Sequence, residues 1–424
     1  MLLKFIRSQP VVLFVCLFAM KFAAAQAQSS QAQPAPIQTI IVFDRKKVFD
    51  EVCTIVQREF YKPDLGGNNW PKLEAEFRPQ ALNAQSHDKF AELIHQMLGG
   101  LKTSHTAYFS TQNPKRYELL GIFEAVARPL INDEDPFASD PWVYEGIGID
   151  HEVRNGKTFV RSVYDGLPAA KADIRFGDEI VSVDNKPFHP IQSFYHKTGK
   201  TVDVALRRKQ DAAPLLVKVT VEGLDGKEMF LQALEASSRI ELRGSKKIGY
   251  LHVWSYAGEK YHDFVRQEIL FGKLADCDSL VLDLRDGWGG ANFEYLNLFR
   301  PSILEMKSVQ RNGTTILNRG AWEKPVVLLI NNRSTSGKEV FAYGFKKHSL
   351  GKIVGENTAG AVVAGRPFVL SSGDVLYLAV ADVQVDGKRL EQIGVAPDIQ
   401  VDRPLEYAAG RDPQLERAFE TLAK

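Results

Sequence analysis

Hydrophobic and polar residues follow different periods in successive regions of the chain. Between residues 40 and 110, apolar residues recur every three or four positions, as on the buried face of a helix. Between 144 and 225, short alternating segments predict strands around one short helix at 168–172. From 245 to 405, continuous apolar runs alternate with helical segments, which is typical of a parallel sheet covered by helices. The pattern predicts an α/β protein with a mainly β module and an N-terminal helical region.

The last of these regions is expected to form the core of the protein. Its buried strands are predicted at residues 248–253, 279–284, 326–330 and 352–354, and its helices include 261–271 and 339–347. Residues 111–143 contain prolines and the acidic run Asp133-Glu134-Asp135-Pro136, so they are predicted to be a linker or flap. Residues 406–424 are assigned to a C-terminal tail.

The first 39 residues have the pattern of an export signal. Lys4 and Arg7 precede an apolar run over residues 11–20, and three alanines follow at 23–25. The run is too short to span a membrane as a helix. Residues 1–25 are therefore predicted to be a cleaved signal peptide, followed by a polar leader at 26–39. We expect an exported protein, periplasmic or secreted, whose mature chain has no stable membrane span.

Composition and charge exclude several classes of function. The chain has 424 residues, 44% hydrophobic and 25% charged, which are the proportions of a folded protein. Its 53 basic and 52 acidic residues argue against nucleic acid as a partner, because phosphate binding requires a basic surplus or stripe. The histidines show no paired metal-ligand spacing, so neither a metal nor a cofactor is expected. Cys53 and Cys277 could form one disulfide or remain two buried thiols.

Two strand ends in the core region carry residues suited to acyl chemistry. Residues 282–290, Leu-Asp-Leu-Arg-Asp-Gly-Trp-Gly-Gly, follow one predicted strand, and Ser336 lies between another strand and a helix. A helix N-terminus offers unpaired N–H groups, and a glycine-rich loop can add another, so the two can bind an oxyanion. The alternative is that Ser336 is an ordinary helix N-cap.

The β module carries three glycine-containing motifs. They are Gly146-Ile147-Gly148-Ile149, Gly166 to Ala170 and Gly177 to Asp184. In this order they resemble a PDZ domain. The resemblance implies that backbone N–H groups of Gly146, Ile147, Gly148 and Ile149 bind the C-terminal carboxylate of a peptide, which adds as a strand to an open sheet edge. The module could also act only as a brace between domains.

Six motifs in one order extend the comparison to most of the chain. They are residues 101–106, the PDZ-like module, residues 282–290, Ser336 with Glu339, residues 354–360, and residues 393–399. With these motifs the chain from about residue 40 to 398 resembles the C-terminal processing peptidases, or tail-specific proteases, of which the tricorn core protease is a relative. The resemblance implies a serine peptidase with a crotonase-like α/β core.

The family has two catalytic arrangements, and the residues favour one of them. The Ser/Lys branch carries its lysine base at the position of Ala361. The tricorn-like branch uses a serine with a histidine, which here implies Ser336 as nucleophile and His105 as general base, supported by Ser104 and Glu391. Which of the last two contacts which ring nitrogen is left open.

Three further assignments accompany this one. Gly337 and Gly289 are the expected oxyanion donors. Lys338 is rejected as a base, because two residues along a helix place it on a different face from Ser336. Gly287 and Trp288 depart from the family, which typically carries Asn and a small residue or Pro there, so the loop or substrate pocket is expected to differ.

The function implied is that of an exported endopeptidase that cleaves unfolded or C-terminal tail segments through an acyl-enzyme. Its partners would be polypeptides with free C-termini, held by the PDZ domain. The alternative is a catalytically inactive protein that binds peptides or small hydrophobic ligands on the same fold. The natural substrate, the cleavage preference and the oligomeric state are not determined by the sequence.

Overall fold

The computed structural model describes residues 43–67, 69–128, 141–301 and 305–424. The predicted signal peptide at 1–25 and the polar leader at 26–39 lie outside the described residues, as do residues 129–140 of the expected linker. Within the described residues, no helix is both long enough and apolar enough to cross a membrane.

Three helices form the N-terminal region, as the apolar spacing predicts. They are α1 (Arg45–Glu59), α2 (Trp70–Leu82) and α3 (His87–Gly99). Each begins at a side chain that accepts a hydrogen bond from the first turn, which satisfies an N–H group without a helical partner. These N-caps are Asp44, Asn69 and Ser86. Cys53 on α1 is buried and free, as is Cys277, so the two thiols form no disulfide.

The prediction of a linker over residues 111–143 is wrong for its first part. After β1 (Ala107–Phe109), residues 114–122 form helix α4 (Pro114–Ile122), followed by α5 (Glu124–Ala127). Pro114 occupies the first turn of α4, where its missing N–H costs nothing. Arg116 is fully buried and donates to the carbonyls of Gly373 and Pro141. Tertiary contacts therefore convert this proline-containing segment into part of the core.

The PDZ-like module is an antiparallel β structure. Its elements are β2 (Val143–Gly146), β3 (Ile149–Arg154), β4 (Lys157–Val163), α6 (Pro168–Lys171), β5 (Glu179–Val183), β6 (Thr201–Arg207), β7 (Leu215–Thr220) and β8 (Glu222–Asp225). Five strands form one sheet in the order β3-β4-β5-β6-β7, which leaves β3 at its edge. Strand β2 pairs with β8 and so joins the start of the module to its end.

A six-stranded sheet lies at the centre of the C-terminal half. Its strands are β9 (Arg239–Arg243), β10 (Lys246–His252), β11 (Ser279–Asp283), β14 (Val326–Ile330), β15 (Lys352–Gly355) and β20 (Ile399–Gln400), in the order β20-β15-β14-β11-β10-β9. All neighbouring pairs are parallel except β9 with β10. The hairpin β12 (Glu305–Val309) and β13 (Thr315–Arg319) precedes β14.

Helices cover both faces of this sheet, which explains the continuous apolar runs of its strands. They are α7 (Met229–Ser237), α8 (Glu259–Leu270), α9 (Gly337–Lys347) and α10 (Pro413–Ala423). Phe341 of α9 belongs to the apolar cluster on one face, and Phe419 of α10 belongs to the cluster on the other. The expected C-terminal tail is therefore a helix that packs against the sheet.

A smaller sheet joins the N-terminal region to the C-terminal half. Its strands are β16 (Ala364–Val369) and β17 (Val375–Ala381), with β1 on the far side of β17. The pairing of β1 with β17 is antiparallel and places Ala107 opposite Tyr377. The hairpin β18 (Gln384–Val385) and β19 (Lys388–Arg389) follows. This pairing brings residues just before β1 close to residues 360–391.

Candidate active site

Ser336 lies at the N-cap of α9, directly after the loop that follows β14. Its φ of 57° and ψ of −125° differ from the extended backbone of an ordinary N-cap residue. A non-glycine residue in such a sparsely populated region stores strain of about 1–3 kcal/mol, which persists where surrounding contacts impose it. The backbone of Ser336 is therefore unlike that of an ordinary N-cap residue, although Ser336 and Glu339 together form a capping box at the start of α9.

Glu339 imposes much of this local geometry. The side chain is fully buried and accepts hydrogen bonds from the Ser336 and Ala361 N–H groups at 3.1 and 2.7 Å. It also accepts from the Thr358 hydroxyl at 2.6 Å and the Gly360 N–H at 2.7 Å. Burial raises the pKa of Glu339, and these hydrogen bonds oppose the rise. Glu339 is not among the site residues predicted from the sequence, although a serine followed three residues later by glutamate is a capping-box signal.

Ser104, His105 and Glu391 form a connected chain of hydrogen bonds. The Ser104 hydroxyl lies 3.1 Å from Nδ1 of His105 and donates to Oε2 of Glu391 at 2.8 Å. The Ser104 N–H donates to Oε1 of Glu391 at 2.9 Å, and the Val362 N–H donates to Oε2 at 2.8 Å. Ser104 thus contacts the imidazole, and Glu391 contacts Ser104. The sequence left open which of Ser104 and Glu391 contacts the imidazole; in the structure it is Ser104.

The electrostatics of these groups keep the imidazole neutral and the carboxylate charged. Burial lowers the pKa of His105 to about 4, although the charge of Glu391 opposes this shift. Burial would raise the pKa of Glu391, but the hydrogen bonds from Ser104 and Val362 outweigh it and lower that pKa. At neutral pH, His105 is therefore able to accept a proton.

Ser336, His105 and Ser104 line one cavity of about 430 Å³, together with Gly289. Glu391 lies behind this wall and is buried. A Cβ added at Gly289 would lie 2.7 Å from Cβ of Ser336, and one at Gly337 would lie 2.3 Å from the Ala291 nitrogen. Only glycine fits these two close approaches. The expected oxyanion donors therefore lie beside Ser336.

Two buried basic side chains, Lys338 and Arg161, contact the loop that carries Gly289. Lys338 is fully buried, and its ammonium group donates to the carbonyls of Asp286 and Trp254 at 2.7 and 3.3 Å. Burial lowers the pKa of Lys338 to about 7, while Asp283 and Asp286 oppose the shift. The Asp286 carboxylate lies 3.3 Å from the Arg161 guanidinium of the PDZ-like module. Lys338 is thus oriented toward this loop.

The predicted carboxylate-binding residues lie in the PDZ-like module and do not line the cavity described above. Gly146 ends β2, Ile147 is buried, Gly148 has a φ of +79°, and Ile149 begins the edge strand β3. A Cβ at Gly148 would lie 2.6 Å from the Leu167 side chain, so glycine is required there. Among the described residues, no group of three or more His, Cys, Asp or Glu side chains could hold a metal ion.

Three family models match successive parts of the chain. Residues 43–99 match the tricorn protease C1 domain, residues 146–221 match the PDZ domain, and residues 247–401 match peptidase family S41. These matches confirm the family resemblance and the PDZ assignment. The chain is a PDZ-containing relative of the S41 serine peptidases, on a mixed α/β fold with N-terminal helices.

Two curated proteins and one solved structure are similar to this chain. The chain is 26% identical over 408 residues to a putative tricorn-like protease C-terminal subunit of Sulfurisphaera tokodaii. This alignment covers 89% of this chain and 43% of that protein. It is 24% identical over 280 residues to the carboxyl-terminal-processing protease of Synechocystis. That alignment covers 61% of this chain and 63% of the relative. The solved photosystem II D1 C-terminal processing protease matches with a TM-score of 0.48 and 21% identity, covering 87% of this chain and 97% of that one. The chain spans less than half of the tricorn-like relative.

Proposed function

We propose that the protein is an exported serine endopeptidase that cleaves unfolded or C-terminal segments of polypeptides through an acyl-enzyme. The observation that carries this proposal is that Ser336 and His105 line the same cavity, where the Ser104 hydroxyl lies 3.1 Å from Nδ1 of the imidazole. Export is proposed from the signal-peptide pattern of residues 1–25. The matches to protease families over three parts of the chain support the reaction class.

The hydrogen bonds assign each group a role in proton transfer. Because the Ser104 hydroxyl donates its proton to Glu391, its oxygen is left to accept the Nδ1–H of His105. This selects the tautomer with a free lone pair on Nε2. That nitrogen takes the proton of Ser336 when its oxygen attacks a peptide carbonyl, and later protonates the leaving amine.

The remaining groups stabilise charge as it develops. Glu391 is ionised at neutral pH and stabilises the imidazolium ion through Ser104. The N–H groups of Gly289 and Gly337 are assigned to the oxyanion of the tetrahedral intermediate; removal of one oxyanion donor in another serine protease costs about 2.7–4 kcal/mol. Hydrogen bonds from the Ser336 N–H to the Glu339 carboxylate and the Ala361 carbonyl keep its strained backbone in one conformation before substrate binds.

The PDZ-like module is proposed to bind the free C-terminus of the substrate. Strand β3 begins at Ile149, directly after Gly146, Ile147 and Gly148, and lies at the edge of its sheet, which is the arrangement needed for a peptide to add as a strand. Binding energy from the terminus would then position a more distant peptide bond at Ser336.

A serine-directed fluorophosphonate probe tests the proposed activity. The wild-type protein is expected to be labelled at Ser336, as located by mass spectrometry of tryptic peptides, and to cleave a denatured protein. An inactive binding protein would give neither result. Hydrolysis of small esters without cleavage of any peptide would indicate an esterase and contradict the endopeptidase assignment.

Blocking the substrate terminus tests the role of the PDZ-like module. A peptide with a free C-terminal carboxylate is expected to have a kcat/KM about 10-fold higher than its C-terminal amide, because the amide loses the charged contact to backbone N–H groups. Both peptides carry the same scissile sequence at least ten residues from the end. Equal values of kcat/KM would exclude tethering through the carboxylate.

The pH dependence of kcat/KM tests His105 as the base. The neutral imidazole is the active form, so activity is present above its pKa and is lost as the pH falls through that value. Because burial lowers the pKa of His105 to about 4, the acid limb is expected near pH 4. An uncharged substrate and circular dichroism at each pH separate this limb from unfolding. An acid limb near 6.5 would contradict the lowered pKa of His105.

A further inference from the structure

The cavity beside Ser336 combines large apolar side chains with the proposed catalytic residues and three threonines, Thr103, Thr106 and Thr335. No described residue that lines it carries an Asp, Glu, Lys or Arg side chain. Its volume of about 430 Å³ lies within the range of cavities that enclose a small ligand. The larger apolar side chains of its lining are Phe109, Ile122, Phe123, Trp288 and Tyr377.

Trp288 is fixed in this lining at both ends. Its indole Nε1–H donates to the Glu118 carboxylate at 2.8 Å, and its backbone N–H donates to the Trp254 carbonyl at 2.8 Å. Glu118 is 1% exposed and also accepts from the Lys115 ammonium group at 3.0 Å. Rotation of the indole out of the cavity would remove a partner from a buried carboxylate, which is unfavourable. The ring is therefore a rigid part of the wall.

Trp288 lies next to the expected oxyanion donor, where the carbonyl attacked by Ser336 would bind. It directly precedes Gly289, which packs against Ser336. Phe109 contacts the Trp288 ring edge to face, with ring centroids 6.4 Å apart. Because Trp288 directly precedes Gly289, a side chain that packs against the indole lies close to a carbonyl bound at the N–H of Gly289.

Helix α4 and strand β17 supply further apolar side chains. Phe123, the C-cap residue directly after α4, has its ring centroid 6.4 Å from that of Tyr377. A Cβ added at Gly365 would lie 2.5 Å from the Tyr377 ring, so glycine at this position allows the ring to lie against β16. The segment that the sequence suggested as a linker thus supplies Ile122 and Phe123 to the cavity.

We propose that this cavity binds the side chain of the residue that supplies the attacked carbonyl, and that it selects large apolar side chains such as Phe and Leu. Trp288 determines the selection, and Glu118 is the residue that positions Trp288. The inference rests on the proposed function, since it names the substrate class of the same site. A charged side chain would lose its hydration there without gaining a partner, and glycine would leave apolar surface uncovered.

A peptide series tests the preference directly. Internally quenched peptides differ only at the acyl-side residue, which is Phe, Leu, Ala, Gly, Lys or Asp, and mass spectrometry locates each cleavage. For the wild-type protein, kcat/KM is expected to be on the order of 100-fold higher for Phe and Leu than for Lys and Asp. Cleavage of the Lys or Asp peptide at the rate of the Phe peptide would overturn the inference and leave the endopeptidase proposal standing.

Three variants test the two residues named. Trp288→Ala is expected to lower the Phe-to-Ala ratio of kcat/KM about 10-fold, and Glu118→Leu to lower it in the same direction. Glu118→Gln retains an oxygen acceptor for the indole and is expected to keep the wild-type ratio. An unchanged ratio in Trp288→Ala would overturn its assignment.

Fluorophosphonate labelling of Ser336 accompanies each measurement. Labelling without the expected preference overturns only the inference. The absence of both labelling and cleavage in the wild-type protein overturns the proposed function and the inference together. If a variant fails to fold, and so loses labelling, the wild-type peptide series still decides between the outcomes.

Discussion

Replacement of Ser336 by Ala is expected to lower kcat on the order of 10⁴-fold or more, because the variant has no oxygen to form the acyl-enzyme. His105→Ala should lower kcat by a similar factor, since Ser336 would then have no base. The two residues act as one unit, so the double variant is expected to be no slower than either single variant. Initial rates on one peptide, measured at saturating concentration, check all three.

Matched substitutions control for general effects on the protein. Ser371→Ala and His348→Ala change exposed residues of the same types and are expected to keep wild-type rates. A Ser336→Ala variant with more than about a tenth of the wild-type kcat would contradict the assignment of the nucleophile. Retention of activity in His105→Ala would instead indicate a different base.

Replacement of Glu391 is expected to have the second largest effect. Glu391→Ala should lower kcat on the order of 100-fold, because Ser104 and the imidazole lose the group that orients them. The buried N–H groups of Ser104 and Val362 also lose their acceptor, at a cost of about 1–3 kcal/mol each in the free energy of unfolding. Rates and thermal unfolding of the same sample separate the two effects.

The pH profile distinguishes an electrostatic role from a structural one. Because the charge of Glu391 raises the pKa of His105, its removal should move the acid limb of kcat/KM below its wild-type position. Glu391→Gln retains oxygen and nitrogen near Ser104 but not the charge, so it should show the pH shift with a smaller loss of stability. Glu420→Gln, on an exposed glutamate, serves as the control. A limb that moves upward would contradict this electrostatic account.

Local sequence patterns determined most of the regular structure. The predicted strand over 248–253 corresponds to β10, and those over 279–284 and 326–330 correspond to β11 and β14. These strands are buried on both faces, so their apolar runs are unbroken and easily recognised. Proline signals were less reliable, because Pro114 begins a helix instead of interrupting one.

By itself the sequence determined the family, the order of its motifs and the residues to consider at the site, because each motif is a short run of neighbouring residues that can be recognised without the fold. Only the tertiary structure decided which groups contact one another. Ser104 reaches Glu391 across 287 positions, and Trp288 reaches Glu118 across 170. The pairing of β1 with β17 and the burial of α4 produce these contacts. Hydrogen bonds over such distances depend on how the chain folds back, which no local pattern records.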